Sequence, residues 1–312
     1  MESYDRAKFM SMKREALGYS RRELCERCNG MSEKTLTRLE KGKSVRKESI
    51  KELLEFYHQC SHTIYPVMEL EMLSMTQVHN EVLALMFQGN YREAKRRQEF
   101  LEGYVKEGEG DSVRYSEVIG KELQCYMVEK ETDREEGIQY FEKQIAAMMP
   151  EGADLEKWPL QKKELHIFLA YFNALTLDGR YEEVIPTLRK LLANLERRYH
   201  DMMTFSNLYG CFSYKLVRAL RETGQWEDIL EIAEKGLKVC EEVGDISNTC
   251  GIQSELLCYF KDNDFFHDAK IKEQCFETAK EMYYLSEVVG DKSKHDYFRR
   301  FLERVYGYTE LY

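Results

Sequence analysis

Glu33, Lys34, Thr37 and Arg38 recur at the spacing that brings four polar side chains to one side of a short helix. Their shared chemistry is hydrogen bonding to the edges of flat rings. Lys34 and Arg38 suit guanine acceptors, Glu33 a cytosine amino group, and Thr37 either kind of partner. The surrounding chain is basic, with seven Lys/Arg against two Asp/Glu in residues 34–51. Ser20, Arg21, Lys41, Lys43, Arg46 and Lys47 supply the contacts to phosphate that position a domain without reading sequence. A competing assignment pairs Arg38 with Glu40 or Glu33 on the surface.

A second constellation has the ligand types of a zinc site: Cys25-x2-Cys28, with His58-x-Cys60-x-His62 beyond it. It lacks a second Cys pair, so both thiols read as small core residues and no metal is expected. The chain carries no P-loop, glycine-rich dinucleotide turn, HExxH or GxSxG. Acidic pairs such as Glu135-Glu136 and Glu241-Glu242 read as solvated helix faces. Neither enzymatic activity nor a cofactor is expected.

The elements that must hold these side chains follow from local signals. Phe9, Met12 and Ala16 share one face of a first helix ending at Gly18. Ser20 with Glu23 is a capping box opening a second helix, with Leu24, Cys25 and Cys28 turned inward. Asn29-Gly30 breaks it, and Ser32 caps a third helix that buries Leu36 and Leu39 and stops at Lys41-Gly42. Ile50, Leu53, Leu54 and Tyr57 mark a fourth. A tight glycine-containing turn between two short helices makes a helix-turn-helix.

Charge divides the chain at the same place. Residues 1–60 hold 14 Lys/Arg against 10 Asp/Glu, net +4, whereas residues 61–312 hold 32 against 46, net −14. A basic module on an acidic body is the electrostatic footprint of a phosphate-backbone partner. Only 4 Pro in 312 residues, with 43% hydrophobic and 33% charged residues, favour long helices around a sizeable core. No apolar run reaches the length of a membrane span, and the start MESYDRAKFM lacks the apolar core of a signal peptide. A cytoplasmic protein is expected, its nine scattered Cys reduced.

Beyond residue 60 the sequence repeats. Gly89-Asn90-Tyr91-Arg92-Glu93-Ala94, Gly179-Arg180-Tyr181-Glu182-Glu183-Val184 and Gly224-Gln225-Trp226-Glu227-Asp228-Ile229 share one shape, and Thr132-Asp133-Arg134-Glu135-Glu136-Gly137 is a weaker copy. Successive spacings are 43, 47 and 45 residues, and Glu-Val-Gly-Asp at 242–245 returns as Val-Val-Gly-Asp at 288–291, 46 residues on. The physical reading is a helix, a glycine turn and a second helix whose first turn packs an aromatic wedge, here Tyr91, Tyr181 or Trp226, against the first. First helices are expected near 70–88, 115–130, 160–178, 203–222 and 248–261.

Two resemblances add to this. The runs Gly18-Tyr19-Ser20-Arg21-Arg22-Glu23-Leu24-Cys25 and Met31-Ser32-Glu33-Lys34-Thr35-Leu36-Thr37-Arg38-Leu39-Glu40-Lys41-Gly42 resemble the Cro/repressor-type (XRE) DNA-binding domain. Arg21 stands where that family usually has Gln, and the turn at Asn29-Gly30 is one residue longer. The repeats resemble tetratricopeptide (TPR) hairpins, with a period longer than the usual 34. Together they look like the peptide-pheromone-responsive regulators of Gram-positive bacteria, the Rgg, PlcR and PrgX group. The resemblance implies an all-α chain: a Cro/repressor-type bundle at 1–60, a linker at 61–69, and at 70–312 a right-handed TPR-like solenoid of about five hairpins plus a C-terminal helix. It further implies a homodimer that binds a roughly palindromic duplex DNA operator and a short linear peptide in the concave groove.

The TPR register, carried over, nominates groove residues on the first helices. These are Glu122, Tyr126, His166, Asn173, Thr176, Tyr214, Arg218, Arg221 and Gln253. Asn173 suits a two-point bond to a peptide amide, and Arg218 or Arg221 a carboxylate. Alternatively Asn173 serves its own helix, and the arginines pair with Glu222 or a neighbouring helix. A second functional reading keeps the fold but makes the array a docking scaffold for a protein partner, with the helix-turn-helix as an accessory.

Overall fold

The computed structural model describes residues 6–28, 31–41, 43, 45–57, 81, 82, 84–86, 89–105, 111–127, 131–149, 152–160, 162–199 and 206–309. Every regular element among them is helical. The chain falls into two compact units, one of residues 1–80 and 97–171, the other of residues 81–96 and 172–312.

The first unit opens with α1 (Arg6–Ala16), α2 (Arg21–Arg27), α3 (Glu33–Glu40) and α4 (Lys47–Phe56). Ser20 caps α2 by accepting from Glu23 N while the Glu23 carboxylate takes Ser20 N, and Ser32 caps α3 by accepting from Thr35 N. Gly18 ends α1 in the left-handed region at φ 70°, which only a residue without Cβ adopts freely. Leu24, Cys28, Met31, Leu36, Leu39, Ile50, Leu53 and Tyr57 close the core. The turn residues Asn29, Gly30 and Gly42, the side chains of Phe9 and Leu54, and the linker at 61–69 lie outside the described residues.

One expectation needs correction. The buried face of α1 runs through Met10, Lys13, Arg14 and, as expected, Ala16, with Met12 only half-buried. The periodicity failed there because two cations are buried, each with a partner far away in sequence. Lys13 is fully buried, its Nζ 3.6 Å from the ring centroid of Trp158, itself fully buried. A desolvated ammonium on an indole face gains about 2 kcal/mol. Tyr57 meets Trp158 edge-on at 6.4 Å, and Asp154 N donates to Ala16 O at 3.5 Å. Segment 152–160 therefore packs on α1 and on Tyr57, just past α4, through the Trp158 side chain and one backbone bond.

The same unit holds most of α5 (Tyr91–Val105), then α6 (Asp111–Met127), α7 (Glu131–Met148) and the start of α8 (Lys162–Leu177). Gln98 of α5 is buried and donates to Ser116 O and Oγ of α6, at 2.7 and 2.9 Å. Helix α7 begins at Glu131, so the copy at Thr132–Gly137 lies inside it and the weaker repeat is about one turn out of register.

The second unit continues α8 through α9 (Tyr181–Tyr199), α10 (Ser206–Glu222), α11 (Ile229–Val243), α12 (Ile246–Asp262), a 3-10 turn at Phe265–His267, α13 (Ala269–Val288) and α14 (Lys292–Tyr306). Gly179 and Gly224, at φ 76° and 69°, make the expected hairpin turns. The predicted first-helix starts and ends fall within three residues of α8, α10 and α12. Trp226 precedes α11 by three residues and packs on Tyr259 at 5.4 Å, so it wedges the turn and not the helix. The recurring Gly-Asp pairs mark a different joint, where a second helix hands over to the next first helix. There Asp245 and Asp291 cap α12 and α14.

Neighbouring helices pair in sequence, and α10 also packs on α12, as α12 does on α14. In the second unit the first helices α10, α12 and α14 thus lie side by side as one layer. Close approach is built from glycine: a Cβ on Gly236 of α11 would come 2.6 Å from Ser213 Cβ and 2.9 Å from Ile252 Cδ1. Gly236→Ala is expected to lower stability by about 1–3 kcal/mol through overpacking, whereas the exposed Glu234→Ala stays within about 0.5 kcal/mol. Urea unfolding followed by circular dichroism checks the pair.

Candidate functional site

The sequence places the first site on α3. Leu36 and Leu39 fix the roll of the helix by pointing into the bundle, and this leaves Glu33, Lys34 and Arg38 exposed and Thr37 half-exposed on the other side. Lys41, Lys43 and Arg46 follow, all exposed. Lys47 begins α4, with its side chain outside the described residues. Ser20 and Arg21 stand at the N-terminus of α2, exposed. Nine of the ten nominated side chains are therefore described, and they occupy the second and third helices and the basic segment after them.

Glu40 ties these pieces together. Its side chain is 3% exposed, with Oε1 taking Arg14 Nε and Oε2 taking Arg21 Nε, each at 2.6 Å. Arg14 also donates to Tyr19 O at 2.9 Å, so one guanidinium holds the end of α3 to the loop before α2. Arg21 remains 47% exposed. Its charge is thus oriented by Glu40 while its outer edge faces water. Arg21, a phosphate contact in the sequence analysis, is thus also an ion-pair partner, and Arg14 is a further functional support absent from that set. Nothing local signals a pair 26 residues apart.

The thiols of Cys25 and Cys28 are not activated. Burial raises the Cys25 pKa, with Glu33 and Glu40 adding to the effect, and raises that of Cys28, with Glu52 next. Both stay protonated at neutral pH, whereas metals and electrophiles take thiolates. Among the described residues no group of His, Cys, Asp or Glu is arranged to hold a metal, and no helix is long and apolar enough to cross a membrane.

The nominated groove residues divide between the units. In the first, Glu122 of α6 is buried, Tyr126 is half-buried, and His166 of α8 is half-buried. In the second, Asn173 is 5% exposed, and the Thr176 hydroxyl donates back to Phe172 O at 2.8 Å within its own helix. Gln253 of α12 is half-buried. Arg221 takes the ion-pair alternative: Nε donates to Glu255 Oε2 at 2.7 Å, and the same guanidinium reaches Glu222 and Asp262. Arg218 takes another course, lying 5.8 Å from the Tyr181 ring centroid and donating to Tyr181 Oη at 3.3 Å. The aromatic wedge Tyr181 therefore also supports a cation.

Tyr214 was nominated alone, but the structure surrounds it. Its ring lies where a Cβ on Gly251 would come within 3.1 Å, and Lys294 Nζ, from α14, donates to its hydroxyl at 3.3 Å and sits 4.8 Å from its ring centroid. Lys294 also donates to Ser254 Oγ at 2.9 Å. A lysine 80 residues from Tyr214 carries no sequence signal of this contact.

Residues 10–64 match the helix-turn-helix family model. No curated protein matches the chain. Among solved structures, Bacillus thuringiensis PlcR in complex with the peptide PapR7 and DNA is similar over 94% of this chain and 98% of that one, with TM-score 0.59 and 15% identity. ComR from S. thermophilus, in complex with DNA and its signalling peptide ComS, covers 94% and 97% at TM-score 0.48 and 13% identity. Apo ComR from Streptococcus vestibularis covers 96% and 97% at TM-score 0.49 and 12% identity. The chain thus contains a helix-turn-helix domain and has the all-helical fold of PlcR along nearly its whole length.

Glu40→Ala leaves Arg14 buried with its main partner gone, a change expected to destabilise the first unit by roughly 3 kcal/mol. The measurement is urea unfolding read by Trp158 fluorescence in a Trp226→Phe background. An unchanged midpoint would show that the buried pair holds nothing in place.

Proposed function

We propose that this chain is a cytoplasmic DNA-binding transcriptional regulator, not an enzyme, whose helical-hairpin domain binds a short signalling peptide that modulates DNA binding or activation. The observation that carries the reading is the coincidence of two things in one chain: a helix-turn-helix with an exposed polar face on α3, and a fold shared end to end with a regulator solved on both peptide and DNA.

In this reading α3 enters the major groove. Lys34 and Arg38 donate to guanine edges, Glu33 and Thr37 complete the readout, and Ser20, Arg21, Lys41, Lys43, Arg46 and Lys47 contact phosphates. The protein acts as a homodimer, whose two-fold symmetry asks for half-sites about one helical turn, or a multiple of it, apart. The peptide lies along the layer of first helices, with Arg218, Tyr214 and Gln253 among its contacts. Arg221, neutralised by Glu255, contributes through that pair.

Selection from a randomised duplex pool tests the reading. The wild type is expected to enrich a roughly palindromic site. An Arg38→Ala, Lys34→Ala double variant loses that enrichment, because each good base contact discriminates by about 1–3 kcal/mol. Lys43→Ala weakens binding to all sequences alike and reduces the salt slope by about 1. A wild-type protein that enriches nothing, or a double variant that enriches the same site, contradicts the assignment.

A further inference from the structure

We propose that Arg218, one turn from Tyr214 on α10, and Lys294, which reaches Tyr214 from α14, form a two-cation seat for a carboxylate of the peptide ligand, either its C-terminus or an Asp or Glu side chain. The proposal rests on the peptide-binding reading above and adds the chemical class of peptide that the groove selects.

The argument begins with charge. Residues 61–312 carry a net −14, so an acidic ligand is repelled by this part of the chain unless particular cations receive it. Ion pairs answer several of the basic side chains: Arg221 has Glu255, Arg189 has Asp228, and Lys235 has Glu231. Arg218 and Lys294 differ. Among the described residues neither lies within ion-pair distance of a carboxylate. Arg218 is held by Tyr181, and Lys294 by Tyr214, Ser254 and the Tyr297 ring at 5.9 Å. The nearby acids have other work. Glu255 accepts from Arg221, and Asp291 accepts from the Lys294 backbone N–H as the cap of α14.

Geometry brings the two cations together. Arg218 follows Tyr214 by one turn on α10, so the two side chains share a face. Lys294 reaches the same tyrosine from α14, and Ser254 of α12 steadies it from between. Three first helices thus contribute to one place. Both cations are half-buried and already fixed in orientation, so little side-chain freedom remains to be lost on binding. Donors remain as well. Lys294 uses two of its three N–H groups on hydroxyls, and Arg218 one of its five on Tyr181. A carboxylate is the group that answers two oriented cations with charge-assisted bonds.

The experiment uses immobilised full-length protein and a random heptapeptide pool, in one arm with free C-termini and in the other amidated, with retained peptides sequenced by mass spectrometry. The wild type is expected to retain peptides rich in carboxylates. Loss of retention on amidation identifies the terminal carboxylate, while enrichment of Asp or Glu in the amidated arm identifies a side chain, and either supports the seat. In Lys294→Gln and in Arg218→Gln the retained peptides should bind about tenfold more weakly, with Lys294→Arg restoring affinity. Circular dichroism confirms folding, and Lys294→Gln alone decides if Arg218→Gln unfolds. Wild-type retention indifferent to carboxylates, or a carboxylate preference that survives the substitutions, overturns the seat while leaving peptide binding intact. Retention no greater than on bare matrix overturns the peptide-binding reading and the seat with it.

Discussion

Removing a cation from water costs several kcal/mol unless something in the protein answers it, and this chain removes cations from water in both of its compact units. Arg14 is answered by Glu40, Lys13 by the face of Trp158, and Arg221 by Glu255. Each answer also fixes an element. Glu40 sets the end of α3 against the loop that leads into α2, and Trp158 holds segment 152–160 on α1. Where a half-buried cation is answered by neutral rings or hydroxyls, as for Arg218 and Lys294, its charge is positioned but not cancelled and stays within reach of solvent, unlike that of the fully buried Lys13. The difference separates side chains that build the structure from side chains left able to act.

The hairpin domain supplies the platform for the second kind. A lone amphipathic helix cannot bury its apolar face, so each hairpin is stable only against its neighbours. Glycine at the turns reverses the chain, and glycine within the helices lets them approach until side chains such as Ser213 and Ile252 touch backbone. The first helices then lie side by side, which lets Tyr214, Ser254 and Lys294 meet across 80 residues of sequence. The same packing buries Asn173 and turns Thr176 onto its own helix, so the register positions of a repeat motif do not by themselves present a side chain to a ligand.

What could be read from the sequence was local. The capping box at Ser20 and Glu23, the Ser32 cap, the left-handed turns at Gly179 and Gly224 and the inward leucines of α3 each depend on neighbours within a turn, and their residue types leave few alternatives. The face of α1 was misread because Lys13 and Arg14 look like surface charges until Trp158 and Glu40 are known. The weaker repeat slipped by a turn because Thr132 lacks the glycine that pins the others. Lys294 was invisible: it lies beyond the last recognisable repeat, and its partners come from two other helices. Non-local answers to buried charge are what periodicity cannot show.

The proposed function rests on one claim, that the outer face of α3 and the basic segment after it meet the phosphates and base edges of duplex DNA. Acetylation of lysine amines, mapped by mass spectrometry with and without random-sequence duplex at low salt, tests it most directly. Lys34, Lys41 and Lys43 are exposed, as are Lys95, Lys143 and Lys238 elsewhere in the chain. The account predicts that DNA suppresses modification of the first three and leaves the other three reactive. Protection spread evenly over all six, or absent from Lys34, Lys41 and Lys43, would contradict it.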